Sequence, residues 1–309
     1  MKRYLPILVV AFVVVVVQLG LLALRAEFLL TQLTMSAYYA LVTLGLCLLM
    51  GYAGQVSLGH AGFFAIGGYT TAVVSTAGVA ALGLPAGVAA SALVALVIGL
   101  PVLRLRGHYL AMATLAFGFI VSRVILGTSI LGQADGISDV PALHLVAGLA
   151  LTGRRALRVE NYYMAWALVV LGLLLAINLV SSRAGRALRA IHGNEEAASA
   201  MGVDVGRYKL AVFVLSAVFA GLGGACLAHF TGGIGPGEAS VMKSVRYVAL
   251  VAAGGMGSPG GTVAVSSALT FLSLRGVFGL YDDAVFGGLL VAIMLFAPEG
   301  LFGLVRRRG

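Results

Sequence analysis

Gly51-Tyr-Ala-Gly-Gln-Val-Ser-Leu-Gly-His-Ala-Gly-Phe-Phe-Ala-Ile-Gly-Gly-Tyr69 lies between two long apolar runs. Six of its 19 residues are glycine, with Gln55, Ser57 and His60 mixed among them. One uninterrupted helix fits this composition poorly, because a glycine in a helix interior costs about 0.5–1 kcal/mol relative to alanine. Between membrane spans the stretch reads as a broken helix. Unwound backbone at membrane depth persists only where it is buried in protein or lines a cavity, and interrupted helices mark substrate paths in transporters. The same residues also suit tight packing through small faces, with the polar side chains bonded internally. Both readings stand at this point.

Outward from this stretch the chain is overwhelmingly apolar. Of 309 residues, 61% are hydrophobic and 10% charged, where soluble domains carry about 25% charged residues. No soluble core of this size hides that much apolar surface. The 43 glycines and 7 prolines are not a sign of disorder, since both residues are frequent in membrane helices. A span needs about 20 mostly apolar residues. Candidates fall near 5–24, 29–50, 61–80, 84–103, 109–127, 161–180, 209–229, 244–257, 261–280 and 284–304. The expected fold class is therefore all-α: a polytopic integral membrane protein forming a single transmembrane domain over residues 1–309, with about ten transmembrane helices and one or two broken or re-entrant glycine-rich segments. The second such segment is Gly254-Gly-Met-Gly-Ser-Pro-Gly-Gly261. Pro259 removes a backbone donor, so a tight turn and a broken helix both fit. Two irregular elements in two halves suit a transporter built from structural repeats, although no sequence repeat is visible.

A formal charge of +9 and a pI near 9.9 suggest nucleic acid only if the basic residues cluster. They are scattered between apolar runs and read as topology determinants instead. With Lys2 and Arg3 cytoplasmic, alternation places Arg104, Arg106, the basic residues from Arg183 to Lys209 and the Arg306–Arg308 tail on the same side, 12 of the 20 in all. Both termini are expected in the cytoplasm. The apolar run from Leu5 to Leu24 is longer than a signal-peptide core and reads as a retained anchor. Cys47 and Cys226 sit in separate apolar runs and read as buried, unpaired residues. Arg123 lies in a span, either lining a cavity or snorkelling from its end. His144 and His229 read as structural.

Two connections are long. The external loop, 128–160, is broken by Gly132, Gly136, Pro141, Gly148 and Gly153 and has no strong helical pattern. The cytoplasmic connection, 181–208, differs in kind. Asn194 is placed to cap a short helix with Glu195 and Glu196 in its first turn, and Gly202 to end it. Its alanine-rich side suits either a solvated connector or a surface that presses into a groove on another protein.

Glu196-Ala197-Ala198, followed after three residues by Gly202, resembles the coupling segment of ABC-transporter permeases, without that family's downstream Ile-x-Leu-Pro. The glycine-rich stretch resembles the Gly-x-x-Gly-Gln-x-Ser-x-Gly-His segment of branched-chain amino acid ABC permeases. Leu103-Arg-Leu-Arg-Gly-His-Tyr-Leu-Ala111, Gly185-Arg-Ala-Leu-Arg-Ala-Ile191, Ala200-Met-Gly202 and Gly254-Gly-Met-Gly257 extend the likeness over most of the chain, in the manner of the LivM-type subunit. His108 departs from the pattern, where an acidic residue is expected. The resemblance implies a bacterial or archaeal inner-membrane permease subunit of an ATP-driven importer. It places Gly51, Gly54, Gln55, Ser57, Gly59 and His60 on the translocation path, and Glu196, Ala197, Ala198 and Gly202 at the contact with an ATP-binding subunit. It also implies the partners: a homologous second permease subunit, two cytoplasmic ATP-binding subunits and an external solute-binding protein, with membrane lipid around them. Leucine, isoleucine and valine are the implied substrates, with urea, short amides or other small solutes as the alternative.

The chain itself is expected to bind no cofactor, ATP and magnesium belonging to the partner. A phosphate loop needs Gly-x-x-x-x-Gly-Lys-Ser/Thr, and the three lysines, Lys2, Lys209 and Lys243, follow Met, Tyr and Met. His-Glu-x-x-His and Cys-x-x-Cys metal patterns are absent as well. An ATP-independent secondary transporter calls for an intramembrane carboxylate, and the spans hold almost none. A membrane enzyme calls for converging catalytic groups that the sequence does not display.

Overall fold

The computed structural model describes residues 4–146 and 149–296. The expectations for Lys2, Arg3, the end of the last span and the Arg306–Arg308 tail lie outside the described residues. Among the described residues twelve α-helices run in order: α1 (Leu5–Ala23), α2 (Leu29–Ala53), α3 (His60–Thr76), α4 (Ala80–Val102), α5 (His108–Gly127), α6 (Arg158–Ser181), α7 (Arg183–Gly193), α8 (Glu195–Ala200), α9 (Val205–Thr231), α10 (Val241–Gly254), α11 (Pro259–Leu274) and α12 (Asp282–Phe296). A helix satisfies its own backbone groups, which a bilayer core cannot do. The chain is a multi-pass membrane protein on that ground.

Among the described residues each apolar stretch overlaps a helix, the last of them as far as Phe296, but the helix lengths differ. Six helices, α1, α2, α4, α5, α6 and α9, are long and apolar enough to cross a membrane. The 17 residues of α3 and the 14 of α10 rise about 25 and 21 Å at 1.5 Å per residue. The long α2 and α9 form the centre together with α3, while α4 closes one side and α6 and α11 pack on α2. Most of α2 is buried on every face, whereas α1 lies at the periphery against α6 and α11 with Val9, Val13, Val15 and Val16 exposed. Small residues set the central crossing: a Cβ on Gly67 of α3 would lie 2.3 Å from the Gly221 carbonyl oxygen of α9, and one on Gly87 of α4 would lie 2.3 Å from that of Gly67. Three backbones therefore meet where larger side chains would hold them apart.

The loop after α5 is not wholly irregular. β1 (Leu143–Val146) and β2 (Leu149–Leu151) pair antiparallel, with a register shift between His144 and Val146. The expectation of an all-α chain is thus amended by one small hairpin. Its short strands lie among the glycine and proline breakers that obscure any period in the sequence. Asn161 of α6 anchors it, accepting from the Thr152 amide at 3.0 Å and donating to the Ala150 carbonyl at 3.1 Å.

Candidate functional site

Helix α2 stops because Gly54 turns left-handed at φ +67, a conformation that favours glycine. The amides of Gly54 and Gln55 both return to the Leu49 carbonyl. Helix α3 begins at His60, so only residues 54–59 of the glycine-rich stretch are non-helical. Gln55, Ser57 and Gly59 of that segment are buried, while Gly54 and Val56 are exposed. Thr114 of α5 accepts from the Leu58 amide at 3.0 Å, and Ser244 of α10 accepts from the Ala61 amide at 3.1 Å. That second bond satisfies one of the amides a helix start leaves orphaned.

His60 is fully buried and joins two elements. Its Nδ1 lies 3.0 Å from Ser57 Oγ and its Nε2 lies 2.5 Å from Ser216 Oγ of α9. Ser57 and His60 are therefore bonded inward, which agrees with the packing alternative for these two side chains. Gln55 behaves differently. It is only 2% exposed, and neither its amide oxygen nor its nitrogen has a partner among the described residues.

The second glycine-rich cluster meets the first. Residues 255–258 form the turn between α10 and α11; Ser258 Oγ accepts from the Gly261 amide at 3.2 Å, and Pro259 opens α11, a position where its missing N–H leaves nothing unsatisfied. The Met256 carbonyl presses on Gly51: a Cβ there would lie 1.7 Å from that oxygen. Tyr52 donates from its hydroxyl to the Gly257 carbonyl at 2.7 Å, and the Cys47 thiol donates to the Met256 carbonyl at 3.2 Å. Gly54 faces His192 of α7. Gly51, Tyr52, Arg189, His192 and Gly257 accordingly line a cleft where both breaks and α7 converge.

At the same end, Asn194 caps α8: its Oδ1 accepts from the amides of Glu196 and Ala197 at 2.9 and 3.0 Å. Gly202 leaves the helix at φ +83. Glu195 pairs with Lys209 in the first turns of α9, and Lys209 is only 4% exposed, so losing Glu195 would leave a buried side chain without its ionic partner. Arg106, from the α4–α5 connection, reaches Glu195 at 3.7 Å and Glu196 at 3.3 Å. These exposed contacts each contribute about 0–1 kcal/mol. Ala198 turns inward, while Glu196, Ala197 and Gly202 share an outward edge from which Met201 projects, 86% exposed.

A chain of contacts joins the two sets of residues. Lys209 and Ser216 are seven residues apart on α9 and so share one face. Glu195 on α8 therefore reaches through α9 to His60 at the break. Lys209 and Ser216 carry no local sequence signal for these roles, whereas Arg106, Met256 and Met201 lie inside the Leu103–Ala111, Gly254–Gly257 and Ala200–Gly202 likenesses. Arg123 is exposed, its guanidinium 4.8 Å from the Phe119 ring centroid, which matches the snorkelling alternative. His229 donates from Nδ1 to the Pro141 carbonyl, 2.8 Å away, in a structural role. Among the described residues no group of His, Cys, Asp or Glu is arranged to hold a metal ion.

A multi-pass helical body with a buried break joined to an exposed, capped segment is the architecture of a membrane-embedded transport subunit. The chain belongs to the family of branched-chain amino acid transport system permease components, whose sequence pattern it matches over residues 28–297. It is 34% identical to the high-affinity branched-chain amino acid transport system permease protein LivM of Salmonella typhimurium, over 88% of this chain and 69% of the relative. To LivH of Escherichia coli it is 27% identical, over 87% and 92%. It is also 29% identical to the L-arabinose ABC transporter permease protein AraH of Azospirillum brasilense, over 79% and 72%. No solved structure matches it.

Proposed function

We propose that this chain is one permease subunit of an ATP-driven importer that carries leucine, isoleucine and valine across the inner membrane. The observation that carries this reading is the likeness to LivM over 88% of the chain. Likeness to LivH as well supports a second, homologous permease subunit as its partner. In this reading the chain crosses the membrane ten times, with four shorter helices among the spans and both termini in the cytoplasm. The 181–208 connection then lies inside the cell, and the hairpin outside.

ATP and magnesium bind two cytoplasmic ATP-binding subunits, and a solute-binding protein delivers substrate from outside. The edge formed by Glu196, Ala197, Met201 and Gly202 docks into a groove of the ATP-binding subunit. Closure of that subunit biases the equilibrium between inward-open and outward-open states. The movement passes from α8 through the Glu195–Lys209 pair to α9, and from Ser216 to His60 at the break. Gly51, Gly54, Gln55, Ser57, Gly59 and His60 border the translocation path. Gln55 supplies the polar contact, because its amide alone among these side chains has unused donors and acceptors.

Purification of the chain with its genomic neighbours in mild detergent tests the coupling. The wild type should retain an ATPase, identified by mass spectrometry, that Glu196→Lys and Gly202→Trp lose. Leucine uptake into vesicles should then require ATP; a chain that purifies alone and moves solute without ATP refutes the reading. The AraH relative favours one second reading, a permease for another small polar solute, which competition by unlabelled sugars, urea and amides in the same vesicles would reveal.

A further inference from the structure

A second polar cluster lies at the start of α10, next to Ser244, which accepts from the Ala61 amide at the first break. Glu238 sits in the single 3-10 turn Pro236–Ala239 that leads into the short helix α10. Its carboxylate pairs with Lys243 in the first turn of α10 and accepts from the Tyr39 hydroxyl of α2 at 3.1 and 3.2 Å. The Lys243 ammonium also stands 5.2 Å from the centroid of the Tyr39 ring. Tyr39 stacks on Phe64 of α3, centroids 5.4 Å apart, and faces Tyr247 of α10 at 6.4 Å. The pair is largely withdrawn from the surface, with side-chain exposures of 17% for Glu238 and 27% for Lys243.

Two hydroxyls in this cluster are unused. Tyr247 and Tyr69 of α3 are 2% and 3% exposed, and neither hydroxyl has a hydrogen-bond partner among the described residues. Tyr247 stands beside Tyr39, and Tyr69 shares a buried cluster with Ala239, the residue after Glu238. A buried polar group without a partner is costly, and a buried ion pair adds little net stability over apolar packing. Ionisable groups enclosed by membrane helices therefore call for a functional explanation.

We infer that Glu238, Lys243, Tyr39, Tyr69 and Tyr247 form a recognition site for the zwitterionic backbone of an α-amino acid. This inference rests on the proposed reading of the chain as an amino acid permease. The arriving ammonium replaces Lys243 as the partner of Glu238, and the arriving carboxylate takes Lys243 and the two free tyrosine hydroxyls. Net charge in the site is zero before and after the exchange, so no uncompensated charge enters the low-dielectric interior. The Tyr39 ring offers its face to the ammonium, and its stack with Phe64 offers apolar surface to an aliphatic side chain. A solute bearing only one of the two charges would leave Glu238 or Lys243 unpaired. In the proposed orientation the site lies on the external half of the path, beneath the connection that carries Glu238.

The test uses the complete complex, with both permease subunits and the ATP-binding subunits, in proteoliposomes supplied with internal ATP and saturating solute-binding protein loaded with radiolabelled L-leucine. Tyr247→Phe and Tyr69→Phe delete hydroxyls that bond to nothing among the described residues. Each should lower leucine uptake about tenfold, the effect of one hydrogen bond to a charged group, while thermal stability stays at the wild-type value. The double variant Glu238→Gln with Lys243→Met removes both charges together and should abolish uptake while the complex remains assembled. Wild-type uptake in all three variants overturns the site, and uptake lost only in step with stability assigns the cluster to packing and overturns it too. A wild-type complex that moves no leucine, isoleucine or valine overturns the underlying permease reading instead.

Discussion

Replacing Gly51 with alanine tests the contact between the two glycine-rich breaks. The new Cβ would lie 1.7 Å from the Met256 carbonyl oxygen and 2.5 Å from its carbon. Both are backbone atoms that cannot rotate aside, so the α10–α11 turn must lift off α2. Overpacking of this kind costs about 1–3 kcal/mol. Lifting the turn also breaks the 2.7 Å bond from Tyr52 to Gly257, a further loss of about 1 kcal/mol. The helix propensity of alanine offsets about 1 kcal/mol. The net expectation is a loss of about 1–3 kcal/mol, read as a lower melting temperature of the purified protein in detergent. Gly20→Ala is the control: no atom lies within 4 Å of its added methyl group, so it should match or slightly exceed the wild type. If Gly51→Ala melts with Gly20→Ala, the two breaks do not touch and the argument fails.

Met201→Glu changes a side chain that is 86% exposed, so stability should move by less than about 0.5 kcal/mol while co-purification of the ATP-binding subunit falls. Asn194→Ala removes the acceptor of two α8 amides and should cost about 1 kcal/mol; faster hydrogen exchange confined to 195–200 would report it. Ser216→Ala takes the partner from His60 Nε2, a loss of about 1–3 kcal/mol for a buried group left unpaired. A melt unchanged from the wild type would contradict that bond.

Hydropathy marks where helices fall, because in lipid a long apolar run has no competing backbone solution. It does not say which face of each helix meets which neighbour. Helices such as α2 and α9 are apolar all round, with no polar stripe to orient them. Asn194 and Gly202 were legible because a cap and a left-handed exit depend on the nearest few residues. The Ser216–His60 and Cys47–Met256 contacts join residues 156 and 209 positions apart and follow only from packing. The glycine-rich stretch is a mixed case. Its composition announced a break, but the confinement of that break to residues 54–59 depends on Thr114, Ser216 and Ser244, supplied by three distant helices. Glu238 and Lys243 read as ordinary loop and helix-end charges until the fold encloses them with Tyr39.

Both thiols of the chain, Cys47 and Cys226, are unpaired and wholly buried. The first sits at the seam between α2 and the α10–α11 turn, and the second lies within α9, the helix that joins α8 to the break. The native sequence thus carries a ready labelling clock. With no engineered residue, the rate at which a membrane-permeant maleimide consumes each thiol during turnover times the parting of that seam separately from the loosening of α9. In the resting fold neither should react.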